Sequence, residues 1–88
     1  MADNKTFKCK ILTAQESCLD GDALSAVFPA TDGLMGVLAH RAPMLVALGS
    51  GLLTVQLADR RGVFHISGGL AHMADNVLTI ITQRCIPA

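Results

Sequence analysis

His40 and Arg41 are adjacent polar side chains whose chemistry suggests a functional site. They stand between apolar runs in the stretch GVLAHRAPMLVALGSGLLTV, from Gly36 to Val55. An imidazole beside a guanidinium suits general acid-base catalysis or phosphate binding, and it equally suits a solvent-facing turn whose flanks are buried. These residue types by themselves leave all three alternatives open.

His65 and His72 are the next candidates, in this case for a metal site. They could share an ion only if their strands were adjacent, and no carboxylate or thiolate at close spacing supplies a third ligand. Ser50 and Ser67 lie among glycines, but neither lies in the GxSxG turn that exposes a hydrolase nucleophile. The sequence therefore predicts no catalytic residue, no metal site and no cofactor.

Three cysteines, Cys9, Cys18 and Cys85, form the last group with reactive side chains. Their number is odd and no CxxC spacing occurs, so the sequence predicts neither a zinc site nor a disulfide framework. Free cysteine is often a small buried apolar residue, and we expect that role here, in a reducing compartment.

Charge and composition exclude several classes of function. Seven Lys plus Arg balance seven Asp plus Glu, so no basic surface for nucleic acid is expected. Charged residues interrupt every apolar stretch before the roughly 20 residues that a membrane span requires, and the N-terminus has no signal-like run. Hydrophobic residues make up 51% of only 88 residues. So small a domain cannot bury them all, and we expect some to contact another protein.

The positions of apolar residues indicate that strands carry these side chains. Apolar and polar residues alternate in Phe7–Ile11 and Leu53–Leu57, and Val77–Thr82 is rich in β-branched residues. The charged turn at 59–62 predicts a hairpin, and no helical stretch of useful length is present. The sequence predicts an all-β fold, a small antiparallel β-sandwich or flattened barrel, as a single domain over residues 1–88.

Turn residues and glycines separate these strands. Asp20-Gly21-Asp22 predicts a turn before a strand from Ala23 to Phe28, which Pro29 is expected to end. Gly36, inside an apolar segment, indicates a bulge or a close backbone approach. The other structural glycines do not open a helix as phosphate-binding loops do, and we interpret them as turns and bends: Gly49, Gly51, Gly68 and Gly69.

The order of these segments resembles the β-sandwich domain of the epsilon subunit of F-type ATP synthase, over essentially Phe7 to Arg84. Family members begin with a short strand and an SAE-like turn, here Leu12 to Glu16, followed by a segment like GELGILPGHAPLLTALKPG, here Gly33 to Gly51. An SGG bend at Ser67 to Gly69 and an apolar strand within Asp75 to Thr82 complete the likeness. No single motif is specific, but their joint order and spacing are.

This resemblance implies a non-catalytic rotor subunit of the central stalk. Such a subunit links gamma to the membrane c-ring during ion-gradient-driven ATP synthesis and binds no small-molecule substrate. It is peripheral, on the cytoplasmic face of a bacterial inner membrane. The family's c-ring loop matches Thr31, Asp32, Gly33 and Leu34, and its gamma-facing positions match Arg41, Met44 and Val46.

Two departures from the family pattern affect these positions. The family loop often has an acidic residue where this chain has Leu34, and we expect Asp32 to supply the acid. The family often has PGHAP where this chain has Ala39 to Pro43. Arg41 stands at the histidine of that motif and replaces it with a permanently charged donor. We therefore expect Arg41 to pair with a carboxylate of gamma.

Many family members continue past the sandwich into two helices that restrain ATP hydrolysis, whereas this sequence stops at Ala88. A single domain without that helical hairpin is the expectation, and it would support rotation without helix-based inhibition. The alternative function is a free-standing β-barrel that binds a ligand or acts as an enzyme. In that alternative, His40, Arg41 and His65 line a pocket.

Overall fold

The computed structural model describes residues 5–88, and the first four residues of the domain predicted for 1–88 lie outside the described residues. The strands are β1 (Phe7–Leu12), β2 (Ser17–Ala30), β3 (Gly33–Leu38), β4 (Met44–Leu57), β5 (Arg61–Ala74), β6 (Val77–Ile81) and β7 (Cys85–Pro87). Residues 5–88 contain no helix long and apolar enough to cross a membrane. The all-β prediction is confirmed.

The strands form one sheet that closes on itself. Its order is β1-β6-β5-β4-β2-β3, and β1 also pairs with β2, so five strands complete a ring. β3 extends the sheet beyond β2, while β7 pairs with β5. The pairs are antiparallel, except that β1 and β6 run parallel. The predicted flattened barrel is therefore confirmed, with one parallel pair that the sequence pattern did not indicate.

Two of the three long strands, β4 and β5, cross from one layer of the flattened barrel to the other. In β4 the inward positions change parity between Leu48 and Leu53, across the segment Gly49 to Gly51. β5 pairs with β7 up to Ile66 and with β6 from Leu70 onward. The change of neighbour falls at Gly68 and Gly69, whose φ angles are +64° and +111°. We call the layer of β1, β6 and the adjoining halves of β4 and β5 the front layer, and the opposite layer the back layer.

The core lies between these two layers. Its larger members come from both, and each buried aromatic or branched side chain stabilises the fold by about 1.5–3 kcal/mol. The largest fully buried side chains are Phe7, Phe28, Ile11, Leu53, Met73, Leu78, Ile80, Val37, Val55 and Cys9. The predicted inward face of β1 is therefore confirmed.

The Asp-Gly-Asp turn prediction was wrong, because β2 runs straight through this segment. Asp20 pairs with Lys10 of β1, and Asp22 pairs with Lys8. The Lys8 Nζ lies 3.7 Å from the Asp20 Oδ1 and 3.9 Å from the Asp22 Oδ1. Opposite charges on neighbouring strands favour the extended pairing over the turn.

Pro29 and Gly36 also differ from expectation. β2 continues past Pro29, which pairs with Leu34 of β3. Proline is tolerated here because the pairing of β2 with β4 is interrupted between Val27 and Ala30. A residue without a backbone N–H costs least where the ladder is already broken. Gly36 pairs in register with Val27, and a Cβ there would have nothing closer than 3.9 Å. The predicted bulge or close approach at Gly36 was therefore wrong.

Candidate functional site

The β2–β3 hairpin ends in an exposed tip loop, which we define as residues Thr31 to Leu34. Leu34 is 76% exposed. The Thr31 N–H donates to the Ala47 carbonyl oxygen at 3.2 Å, which anchors the tip loop to β4. Gly33 has φ +136°, a conformation that favours glycine. The anchored loop therefore presents an apolar side chain and the Asp32 carboxylate to solvent.

His40 and Arg41 lie in the turn that follows β3. His40 has φ +63°, and its N–H donates to the Asn76 Oδ1 at 2.7 Å. The Arg41 Nη1 donates to the Gly36 carbonyl oxygen at 3.4 Å, and both residues are exposed. Of the three alternatives for this pair, the geometry favours the solvent-facing turn, from which another protein can be contacted.

Asn76 ties this turn to two other segments. Asp75 and Asn76, at φ +52° and +62°, form the two-residue turn between β5 and β6, with the positive φ angles of a type I′ hairpin. The Asn76 Nδ2 donates to the Thr6 carbonyl oxygen at 2.9 Å. The backbone carbonyl oxygen of Asn76 accepts from the Lys8 N–H at 3.1 Å. The sequence predicted the turn, but its pattern gave no signal for these contacts with residues distant in the chain.

Replacing Asn76 with glycine is expected to lower the free energy of unfolding by about 2 kcal/mol, since two side-chain hydrogen bonds are lost while the left-handed backbone is retained. Urea denaturation followed by circular dichroism measures the change. Asp75→Gly is the matched control in the same turn and is expected to change stability by less than about 0.5 kcal/mol. Equal stabilities of the two variants would contradict the role of Asn76.

The predicted partner-contacting residues lie in the tip loop, in the turn after β3 and on β4. Arg41 follows β3 in the chain, but its Nη1 reaches back to the Gly36 carbonyl oxygen, two residues after Leu34. Met44 and Val46 lie on β4, where both are half-buried and pack against the core. Their neighbour Leu45 points outward and is 67% exposed. The partner contacts predicted for the tip loop, Arg41, Met44 and Val46 stay predictions.

An apolar row crosses the outer face of the front layer. It consists of Ala47, Leu70, Ile81 and Leu12, which are paired in that order across β4, β5, β6 and β1. Leu70 is 46% exposed and Ile81 is 52% exposed, and Leu45 flanks the row on β4. Cross-strand partners share a face of the sheet, so these side chains form one surface.

Polar residues border the apolar row. His72 pairs with Leu45, and Thr79 pairs with both His72 and Lys10. An apolar centre with a polar border is the usual organisation of a protein interface. The row was missed at the sequence level because Met44–Leu48 is apolar at every position, so alternation could not show which side chains face outward.

The residues predicted to line a pocket in the alternative function are absent from the linings of three open cavities in the described part of the chain. These cavities have volumes of about 390, 310 and 220 Å³. The largest of the three is lined by Lys5, Leu24, Leu38 and Ala39. None of the three linings includes His40, Arg41 or His65.

Reactive side chains also occur in the core and on the strands, and Cys9 is the most deeply buried thiol. Burial, with a smaller contribution from the charge of Asp20, raises the pKa of the Cys9 thiol to about 12, so this thiol stays protonated at neutral pH. Within residues 5–88, no group of three or more His, Cys, Asp or Glu side chains is placed to hold a metal ion. Of the features described, the exposed surfaces carry the strongest indication of function.

The structure is a closed β-sandwich that exposes an anchored tip loop and an apolar row. Residues 6–88 match the family described as the beta-sandwich domain of the ATP synthase delta/epsilon chain. The chain belongs to this family, and the resemblance seen in the sequence is confirmed.

Three relatives, each an ATP synthase epsilon chain, show the extent of the similarity. The chain is 34% identical to the Rhodopirellula baltica protein over 82 residues, which cover 93% of this chain but 64% of that relative. It is 32% identical to the Chlorobium limicola protein and 34% identical to the Chlorobaculum tepidum protein. These two alignments cover 93% and 94% of this chain, and 94% and 96% of the relatives.

Solved structures show the same fold within large assemblies. A chain in the Euglena gracilis mitochondrial ATP synthase structure, described as OSCP/F1/c-ring, matches with a TM-score of 0.89 at 27% identity. That match covers 94% of this chain and 54% of the other. A chain of the Tetrahymena thermophila central stalk and c-ring structure matches in fold alone, with a TM-score of 0.77 at 17% identity over 90% of this chain and 64% of the other.

Proposed function

We propose that this chain is a non-catalytic rotor subunit of the central stalk of F-type ATP synthase, linking gamma to the c-ring. The observation that carries the proposal is the match of nearly the whole chain, with a TM-score of 0.89, to a chain of an ATP synthase assembly. Family membership over residues 6–88 supports the same role. The part it plays is mechanical, in ATP synthesis driven by ion transport.

The fold suits a part that carries torque. Five strands close into a ring, so their backbone hydrogen bonds form a continuous network around the domain. A close-packed core between the layers resists deformation when two surfaces are loaded from different directions. Force applied at one surface is therefore transmitted to the other with little internal movement.

We assign the gamma subunit to the front layer. The apolar row and Leu45 supply the buried centre of the contact, with Met44 and Val46 supporting them from the core side of β4. Arg41 lies in the turn that leads into this strand and supplies a charged contact. An apolar surface of this kind gains stability when a partner removes it from water.

We assign the c-ring to the tip loop, with Leu34 as its apolar contact and Asp32 as its acidic one. The hydrogen bond from Thr31 to Ala47 joins the tip loop to one end of the apolar row. The two surfaces are thus continuous, and both partners can be bound at once. Bound in this way, the chain is peripheral on the cytoplasmic face of a bacterial inner membrane.

Arg41→Ala is expected to weaken binding of the gamma subunit about tenfold at low salt and to reduce the salt dependence of binding, because a charge-assisted contact is removed. Arg61→Ala, an exposed arginine at the start of β5, is the matched control and should leave affinity within about twofold. Titrations over a range of salt concentrations measure both effects. An unchanged salt dependence in Arg41→Ala would contradict the ion pair.

Co-expression with the gamma subunit encoded in the same genome tests the proposed function. A stable complex that survives affinity purification and gel filtration is the expected result. A monomer that ignores gamma and instead binds a small molecule would overturn the proposal in favour of the free-standing β-barrel.

A further inference from the structure

Cys18 and Cys85 lie side by side in the fold although they are 67 positions apart in the chain. Cys18 occupies a bulge of β2, where the pairing with β1 shifts between Ile11, opposite Leu19, and Leu12, opposite Ser17. A bulge redirects the side chain of its extra residue away from the regular ladder. Cys85 is the first residue of β7, which pairs with the first half of β5.

The two cysteines are in contact. The Cys18 thiol donates to the Cys85 carbonyl oxygen, with the Sγ 4.0 Å from that oxygen. Both residues are half-buried and pack against the core. They share a cavity of about 220 Å³ whose other lining residues are Glu16, Ser17, Phe64 and Pro87. The cavity gives a small reagent access to the thiols.

We propose that Cys18 and Cys85 are a modification site, at which a low-molecular-weight disulfide such as oxidised glutathione converts the pair into an intramolecular disulfide. A thiolate of one cysteine attacks the reagent disulfide and releases one small thiol. The second cysteine then attacks this mixed disulfide and releases the other. One reagent S–S bond breaks and one protein S–S bond forms, so the protein loses two thiol protons and the reagent becomes two thiols.

The surroundings make this reaction slow and selective. Burial, followed by the interaction with the neighbouring Cys18 thiol, raises the pKa of the Cys85 thiol to about 12. Thiolate is the reactive form, so exchange at neutral pH is slow and accelerates as pH rises. Cys9, the third cysteine, is fully buried in the core and has no access to the cavity.

The bond would fasten β7 to β2. β7 has only three residues, and its pairing with β5 spans Phe64 to Ile66. A strand held by so few backbone pairs opens readily, and a covalent link that closes a long loop restricts the unfolded chain. Oxidation would therefore stabilise the position of β7, independently of whether the chain binds gamma or the c-ring.

Equilibration of the purified chain with mixtures of reduced and oxidised glutathione tests the proposal. After acid quenching and alkylation, peptide mass spectrometry identifies the bonded cysteines. The expected product is a Cys18–Cys85 disulfide, with an equilibrium constant at least about 100-fold larger in the native chain than in concentrated urea. The oxidised chain should also unfold at a temperature roughly 10 °C higher.

Single variants provide the controls. Cys9→Ala retains both members of the pair and should form the same disulfide, whereas Cys18→Ala and Cys85→Ala should give at most a mixed disulfide with one glutathione. Circular dichroism verifies that each variant is folded. Separate glutathione adducts on Cys18 and Cys85 in the native chain would overturn the proposal, as would free thiols at both positions or equal disulfide formation in urea.

Discussion

Gly69→Ala is expected to lower the free energy of unfolding by about 3–5 kcal/mol. A Cβ at this position would overlap the Ile81 carbonyl oxygen and would lie 2.9 Å from the Ile81 carbonyl carbon and the Thr82 Cα. These are backbone atoms, which cannot move aside as a flexible side chain can. The φ angle of +111° adds a conformation that L-residues rarely adopt.

The strain would spread because the neighbouring backbone is held in place. The Thr82 hydroxyl accepts from the Ser67 N–H and donates to the Ser67 carbonyl oxygen, both at 3.2 Å. The Thr82 N–H also donates to the Leu12 carbonyl oxygen at 3.0 Å. A shift that makes room for a methyl group therefore weakens the contacts of three strands. Thermal and urea unfolding of the purified variant measure the loss.

Gly21→Ala is the matched control for Gly69→Ala. Gly21 also lies in a strand, but a Cβ there would have no atom within 4 Å. Alanine at this site is expected to leave stability unchanged within about 1 kcal/mol. If Gly69→Ala were as stable as Gly21→Ala, the bend at Gly68-Gly69 would not be the tight crossing that the structure shows.

Leu70→Asp is expected to weaken binding of the gamma subunit at least about 100-fold while leaving the fold intact. Leu70 lies in the apolar row, between Ala47 and Ile81, and is 46% exposed. A carboxylate there would be buried against an apolar partner without a counter-ion, which carries a large desolvation cost. Isothermal titration with purified gamma measures the affinity, and circular dichroism checks the fold.

Leu52→Asp provides a control of equal exposure on the opposite face. Leu52 is 48% exposed and pairs with His65 in the back layer. Its replacement is expected to change the affinity for gamma by less than about threefold, since the proposed contact is on the front layer. A larger loss of affinity for gamma in Leu52→Asp than in Leu70→Asp would place gamma on the back layer instead.

Local patterns predicted much of the fold. Alternation in Phe7–Ile11 and Leu53–Leu57 identified the inward side chains, and Asp75-Asn76 marked a turn that the structure contains. The pattern failed at Asp20-Gly21-Asp22, where turn propensity is outweighed by Lys8 and Lys10 on the neighbouring strand. Such pairing depends on register between distant segments, which local sequence does not reveal.

The candidate site was less predictable for the same physical reason. The apolar row joins residues of four strands, and the pairing of Leu12 with Ile81 depends on a parallel contact that no local motif indicates. Cys18 and Cys85 appeared to be ordinary apolar residues because their proximity arises only when the ring closes and a bulge redirects Cys18. The roles assigned to the tip loop and Arg41 came from family resemblance, and they stay predictions, as does the single domain without a helical hairpin.

Photo-crosslinking in membranes that carry the assembled complex tests most directly whether this chain links gamma to the c-ring. A benzophenone side chain is placed at Leu34 in one variant, at Leu70 in a second and at Leu52 in a third. Adducts with the c subunit are expected from position 34, adducts with gamma from position 70, and neither from position 52. Absence of both adducts, with the chain recovered as a free monomer, would contradict the proposed link between gamma and the c-ring.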